Sequence, residues 1–281
     1  MRAVVLAGGQ GARLTPYTRV IPKPLIPLDD MPILQIILMQ MRACGVTQVT
    51  LSVAYKAHLI QSYFGNGEWL GIPIDYSLTS HVLGTAGPLK FVESLDEPFL
   101  VMNADLLTTV DFADVIAAHR RSNAIGTVVL CRQVVDVGYG VVNVDSQHHV
   151  TGYVEKPKME FLISAGIFAF NPEVLHYIPH GQFMDMPDLF QQLLADGHTI
   201  NGYQFDGDWL DIGTPSQYER GEALFQQHRS RYLKDEYSSP SFPKEFRPTN
   251  KIEAPMPSRS ANLQLETTVQ TQIPPQPPVE P

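Results

Sequence analysis

Cysteine is scarce: the 281-residue chain contains two, Cys44 and Cys131. Both lie in apolar stretches rather than in the paired spacing of a metal site or disulfide framework, so they read as buried, reduced thiols. Charge is also sparse, at 17% of residues, and unbalanced: 20 Lys and Arg face 29 Asp and Glu, giving a formal net charge of −9. A molecule with that field repels nucleic acid and anionic membrane, and neither is expected as a partner. Long hydrophobic runs are missing too. The most apolar helix candidate, Ile33–Met41, is interrupted by Gln35 and is too short to span a bilayer. Met1–Ala7 reads as a strand that runs straight into glycines, without the apolar core and cleavage site of a signal peptide. A cytoplasmic location is the expectation that follows. The hydrophobic fraction of 44% is ordinary for a globular protein, and the length allows a full core. Any phosphate binding must come from a local basic cluster set against this acidic background.

What is present is an alternation of short apolar strands and helix patterns. Ala3–Leu6, Val49–Val53, Phe99–Met102 and Thr127–Leu130 read as strands; Ile33–Cys44, Lys56–Phe64 and Phe112–Arg121 read as helices, the last with Asp111 at its N-cap. Near-continuous apolar strands separated by helices predict an α/β fold, with a mostly parallel central sheet covered on both faces. Further along, Val141–Val144, Val150–Val154 and Ile163–Phe170 have fewer helices between them and read as antiparallel additions. Helices return at Pro187–Ala195, near Asp185, and after Thr214-Pro215 through about His228, with Pro215 suited to a first turn. Asp188 reads as a helix-start residue. A catalytic domain over residues 1–228 is therefore expected. Residues 229–281 form an extension, rich in Pro, Ser, Thr and Gln from about Tyr237, that reads as disordered or polyproline-like.

The most informative stretch is Gly8-Gly9-Gln10-Gly11-Ala12-Arg13-Leu14-Thr15-Pro16, followed by Pro22-Lys23-Pro24-Leu25. Three glycines within four positions let backbone N–H groups turn toward an anion. Arg13 adds a planar donor fork matched to phosphate oxygens. Lys23 stands between two prolines, and Pro24 is expected to hold it extended, so that a mobile ammonium is mounted on a stiff stem. Two commoner phosphate loops are absent. No Gly-x₄-Gly-Lys-Ser/Thr run occurs, and Leu14 stands where the dinucleotide fingerprint needs its third small residue. An NAD-dependent oxidoreductase is left as a weak alternative.

With these residues the chain resembles the sugar-1-phosphate nucleotidylyltransferases, whose loop reads G-G-x-G-x-R-L-x-P…P-K-P. The likeness extends through most of residues 1–228. It takes in Leu83-Gly84-Thr85-Ala86-Gly87-Pro88, Asn103-Ala104-Asp105, Glu155-Lys156-Pro157, Ser164-Ala165-Gly166 and Trp209-Leu210-Asp211-Ile212-Gly213-Thr214-Pro215, in the family's order. The resemblance implies a Rossmann-like, mixed but mostly parallel sheet of the nucleotide-diphospho-sugar transferase type. It also implies transfer of a nucleoside monophosphate from an NTP to a sugar-1-phosphate, with pyrophosphate leaving. By the same resemblance Arg13 and Lys23 are catalytic, and Asp105 and Asp211 hold Mg²⁺. The nucleotide is bound by Leu6, Ala7, Gly8, Gly9, Gly11, Gly84, Thr85, Ala86, Gly87, Asn103 and Asp105. The sugar phosphate is bound by Gly140, Glu155, Lys156, Ser164 and Gly166. No side-chain nucleophile is needed, and His148-His149 has no ligand spacing.

Leu-Gly-Thr-Ala-Gly-Pro-Leu looks most like guanylyltransferases acting on mannose-1-phosphate, so GTP and mannose-1-phosphate are the expected pair. Two departures touch the sugar pocket: Ser164 replaces an asparagine common in mannose enzymes, and the Lys158–Ile163 link is short. Uridylyl, thymidylyl or cytidylyl transfer to another hexose- or heptose-1-phosphate therefore stays open, as does a non-catalytic nucleotide-binding relative. A homo-oligomer is compatible with these motifs.

Overall fold

The computed structural model describes residues 1–79 and 81–233. In chain order the strands are β1 (Arg2–Leu6), β2 (Pro27–Leu28), β3 (Met31–Pro32), β4 (Gln48–Val53), β5 (Ile74–Leu78), β6 (Phe99–Asn103) and β7 (Leu106–Thr108). There follow β8 (Gly126–Asp136), β9 (Val141–Val144), β10 (Val150–Val154), β11 (Lys158–Phe170), β12 (Ile200–Phe205) and β13 (Trp209–Asp211). The helices are α1 (Tyr17–Val20), α2 (Ile33–Ala43), α3 (Ala57–Phe64), α4 (Phe112–Ser122), α5 (Met186–Ala195), α6 (Pro215–Gln227) and α7 (Arg229–Tyr232).

Seven strands form the central sheet in the order β12-β8-β11-β6-β1-β4-β5. All its pairings are parallel except those of β11, which runs antiparallel to both β6 and β8. The expected mixed, mostly parallel sheet is what forms. The antiparallel strand is internal rather than added at an edge, and it is continuous over Lys158–Phe170 where the sequence suggests only Ile163–Phe170. β9 and β10 pair with each other as a separate antiparallel hairpin.

Helix boundaries follow local chemistry. Asp111 caps α4, its carboxylate accepting from the N–H groups of Ala113 and Asp114. Thr214 caps α6 by accepting from Gln217, with Pro215 in the first turn. α2 is buried almost all round, including Gln35, so it is an interior helix. Gln40, on its inner side, donates to the carbonyls of Thr108 (2.7 Å) and Tyr232 (3.1 Å), tying α2 to β7 and α7.

Two apolar clusters cover the sheet. One contains α2 and α3 side chains; the other contains Met186, Leu189 and Leu193 of α5 packed with Phe99, Phe168 and Phe170. Both thiols are free: Cys131 is buried, and burial pushes it up to about 11; Cys44 is half-buried. All the described residues belong to one compact unit. Most of the extension expected over 229–281 lies outside the described residues. Its first residues depart from that expectation: Arg229–Tyr232 is helical, Tyr232 and Leu233 are buried, and Arg229 pairs with Asp29 and Asp30. Apolar burial and ion pairing carry the packed body to Leu233, beyond the boundary at 228. Among the described residues no helix is long and apolar enough to cross a membrane.

Candidate active site

β1 lies between β4 and β6, parallel to both, and the three strands end at one edge of the sheet. The Ala7 N–H donates to Ser52 (2.8 Å) and the Ala104 N–H to Leu6 (3.2 Å), which keeps those ends aligned. In open α/β sheets this carboxyl edge is where ligands sit. Here it opens on a cavity of about 810 Å³, within the range of roughly 300–1,000 Å³ usual for small-molecule sites. Leu6, Ala7, Gly8, Gly9 and Gln10 form one wall, and Asn103, Ala104 and Asp105 another. Among the described residues, no hydrogen bond uses the amides of Gly8, Gly9, Gln10 or Gly11, so this turn keeps its donors free for an anion. Gly11 has φ +63°, and a Cβ there would lie 2.8 Å from Thr18 and 3.0 Å from the Lys23 Cβ. Its glycine is what allows Lys23 to come so close.

Lys23 is not extended as its following proline suggests. Pro22 is the extended residue, and Lys23–Leu25 is a 3₁₀ turn closed by bonds from Leu25 to the Pro22 carbonyl and from Ile26 to the Lys23 carbonyl. That turn buries the Lys23 stem, leaving the residue 8% exposed, and aims its ammonium at two carboxylates. The Lys23 Nζ is 2.5 Å from Asp105 Oδ2 and 3.7 Å from Asp211 Oδ1. The first is a charge-assisted hydrogen bond; the second is too long for one and acts through space.

The aspartates meet through a three-residue antiparallel ribbon. β13 pairs with β7 so that Asp211 stands opposite Leu106, and the Ile212 N–H donates 2.9 Å to the Asp105 carbonyl. Asp105 Oδ1 and Asp211 Oδ1 are both buried without a hydrogen-bond partner. Burial, then the neighbouring Asp105, push the Asp211 carboxyl above its usual range; Lys23 and Arg13 oppose that shift. Two orphaned carboxylate oxygens beside a shared ammonium are a donor set for a hard cation. Among the described residues no group of three or more His, Cys, Asp or Glu could hold a metal. A cation here would take its remaining ligands from phosphates and water, as Mg²⁺ commonly does.

The opposite cavity wall is Leu83, Gly84, Thr85 and Pro88. Ala86 and Gly87, expected to bind the nucleotide, are buried behind it, and both of their amides donate to the Met184 carbonyl. The Thr85 amide likewise bonds Asp185 Oδ1 at 2.9 Å. Three of the loop's N–H groups thus serve the fold and not a base edge.

A model of the family described as nucleotidyl transferase matches residues 2–228. The chain belongs to that family. It is 36% identical over 228 residues to a mannose-1-phosphate guanylyltransferase of Mycobacterium tuberculosis, covering 79% of this chain and 63% of the relative. It is 34% identical over 238 residues to a UTP–glucose-1-phosphate uridylyltransferase of Synechocystis sp., covering 78% of this chain and 61% of the relative. The chain thus spans about three fifths of the length of these two relatives. A crystal structure of HddC from Yersinia pseudotuberculosis complexed with GMP-PN superposes with a TM-score of 0.61 at 25% identity, covering 80% of this chain and 99% of that one.

In this nucleotidyl transferase, Arg13 makes no hydrogen bond or ion pair among the described residues. Its guanidinium lies against Gly213, where a Cβ would be 2.9 Å from Arg13 Nη2, beside Asp211. The residues expected on the sugar side are not brought to the cavity wall. Gly140, Glu155 and Lys156 gather at the β9–β10 hairpin, where the Tyr153 hydroxyl donates 2.9 Å to Glu155 and would collide with any Cβ on Gly140. Lys156 is exposed and lies 3.9 Å from the Glu155 carboxylate. Ser164 and Gly166 sit at a bulge in β11, where the register against β8 shifts. Gly166, at φ +70°, lets Asn103 lie flush against it, and the Trp209 indole N–H donates 2.9 Å to the intervening Ala165 carbonyl.

Gln10, Ser52, Tyr55, Thr79 and His81 also line the cavity and are not expected from sequence. The parallel order is the signal for three of them, because Ser52 and Tyr55 at the end of β4, and Thr79 after β5, share the β1 edge.

Proposed function

We propose that the protein transfers a nucleoside monophosphate from an NTP to a sugar-1-phosphate, giving an NDP-sugar and pyrophosphate, with GTP and mannose-1-phosphate as the preferred pair. The observation that carries this reading is the Lys23 ammonium beside Asp105 and Asp211, at the mouth of a turn with free amides. A phosphate oxygen of the sugar-1-phosphate attacks the α-phosphorus, and the bond to pyrophosphate breaks. Both substrates are anions, so positioning and charge neutralisation are the enzyme's main work. The Gly8–Gly11 amides cradle the NTP phosphates. Lys23 stabilises charge on the transferring group, Arg13 binds the leaving pyrophosphate, and Lys156 and Glu155 hold the sugar phosphate and sugar. We further propose that Asp105 and Asp211 hold Mg²⁺, which when bound neutralises charge on phosphate oxygens.

The base assignment rests on Leu83–Leu89 and on the likeness to guanylyltransferases. The likeness to the Synechocystis enzyme supports a second reading, uridylyl transfer to glucose-1-phosphate. Pyrophosphate release from GTP, UTP, dTTP and CTP, each with several sugar-1-phosphates, separates them once the product mass is read. Turnover with GTP and mannose-1-phosphate is the expected result. No turnover with any pair, alongside retained nucleotide binding, would favour a regulatory subunit.

A further inference from the structure

We propose that Asp185 is a positioning residue for nucleotide recognition, holding the Leu83–Pro88 loop in its binding shape. This rests on the reading that the 810 Å³ cavity takes an NTP. Asp185 precedes α5, a half-buried carboxylate with no expected role in the site. Its Oδ1 accepts from both the Thr85 amide (2.9 Å) and the Thr85 hydroxyl (3.2 Å). The same hydroxyl accepts from the Met186 N–H at 2.7 Å. Met184 completes the clasp: its amide donates to the Leu83 carbonyl (3.0 Å), and its carbonyl accepts from Ala86 and Gly87. Gly84, at φ +75°, lies so close that a Cβ would sit 2.3 Å from the Met184 carbonyl oxygen and 2.8 Å from Asp185 Oδ1.

Every one of these bonds runs from the cavity-wall loop to the three residues Met184–Met186. α5 is itself locked into the second apolar cluster through Met186 and Leu189, beside Ala86 and Leu89 of the loop region. The carboxylate also stands at the start of a helix, where a negative charge is favoured. Two jobs are therefore combined in one group. Asp188 offers the contrast, because it accepts the Asp185 N–H at 3.2 Å and makes no bond to the loop.

The test uses the full chain, with Asp185→Ala, Asp185→Asn, Thr85→Val and Asp188→Ala. Nucleotide binding is measured by calorimetry without sugar phosphate, alongside steady-state kinetics and thermal midpoints. Asp185→Ala should raise KM and Kd for the preferred NTP about tenfold, with kcat and the KM for sugar-1-phosphate little changed, and should narrow the preference among NTPs. Tenfold corresponds to about 1.4 kcal/mol. Asp185→Asn, which keeps an acceptor, should recover most of the affinity, and Thr85→Val should weaken binding in the same direction. Asp188→Ala should lower the thermal midpoint without moving the nucleotide KM. Equal shifts in both Ala variants, or a lower midpoint in Asp185→Ala with unchanged nucleotide affinity and selectivity, would reduce Asp185 to a helix cap and overturn the proposal. If Asp185→Ala does not fold, unchanged affinity in Thr85→Val overturns it equally. Failure of the wild-type chain to bind any NTP would instead overturn the nucleotidyl-transfer reading, and the role of Asp185 with it.

Discussion

Replacing Asp211 with Asn should make the protein more stable and less active at once. Asp211 is a poor place for a charge: burial and Asp105 hold its carboxyl above the usual range, and Oδ1 has no hydrogen-bond partner. A raised folded-state value means that the folded chain binds the extra proton first. The associated stability is fully present below the unfolded value of about 3.9 and is lost as pH rises through the folded value. At neutral pH the ionised Asp211 is therefore a net cost, which Asn removes while Lys23 keeps its 2.5 Å bond to Asp105. The side chain is 35% exposed, so solvent screens much of the effect. We expect a gain of about 0.5–1 kcal/mol, the low end for substitutions that relieve a functional site. In a body of this size that is a rise of roughly 1–4 °C in thermal midpoint. The assay is thermal unfolding at pH 7 with a chelator, repeated toward pH 4, with pyrophosphate release titrated against Mg²⁺. The gain should shrink as pH falls, because wild-type Asp211 is then protonated too, and activity should fall at every Mg²⁺ concentration. A lower midpoint for Asp211→Asn at pH 7, or a gain that does not change with pH, would refute the electrostatic account.

Lys23→Ala should lower kcat about 10²–10³-fold, the scale for one preorganised charge-stabilising donor, as read by pyrophosphate release at saturating substrates; wild-type turnover would remove Lys23 from the mechanism. Gly84→Ala must move the Met184 carbonyl, so its nucleotide KM should rise and its thermal midpoint fall together. Asp111→Ala removes the acceptor for two amides at the start of α4 and should cost about 1 kcal/mol in urea unfolding, with kinetics unchanged.

Local chemistry is readable in the sequence. Asp111, Thr214 and Pro215 mark the starts of α4 and α6 within a residue or so, because caps and prolines act on their immediate neighbours. The glycine turn and the basic residues beside it, Arg13 and Lys23, are legible for the same reason. Long-range pairing is not. Nothing in Ile163–Phe170 says that its strand runs antiparallel between two parallel neighbours, and Ile200–Phe205 carries no clear strand signal of its own. Asn201 and Gly202 break its alternation, and pairing with Gly126–Cys131 far back in the chain defines it, whereas Ile74–Leu78 alternates apolar and polar residues and is legible as a strand. The amides of Thr85, Ala86 and Gly87 carry the same lesson: glycines signal close approach, but not whether a ligand or the protein's own carbonyl is what approaches.

The short β7–β13 ribbon has a consequence for how activity is acquired. Lys23 and Asp105 can pair once the first half of the sheet exists, whereas Asp211 joins them only when Trp209–Asp211 docks beside Leu106–Thr108. Side chains alternate along a strand, so a one-residue slip of Trp209–Asp211 against Leu106–Thr108 would turn Asp211 to the opposite face. During synthesis the site would stay incomplete until the chain past residue 211 has emerged and found that register. A nascent or truncated molecule would hold the glycine turn and one carboxylate yet lack the second, which makes the ribbon a check on completeness built into the fold.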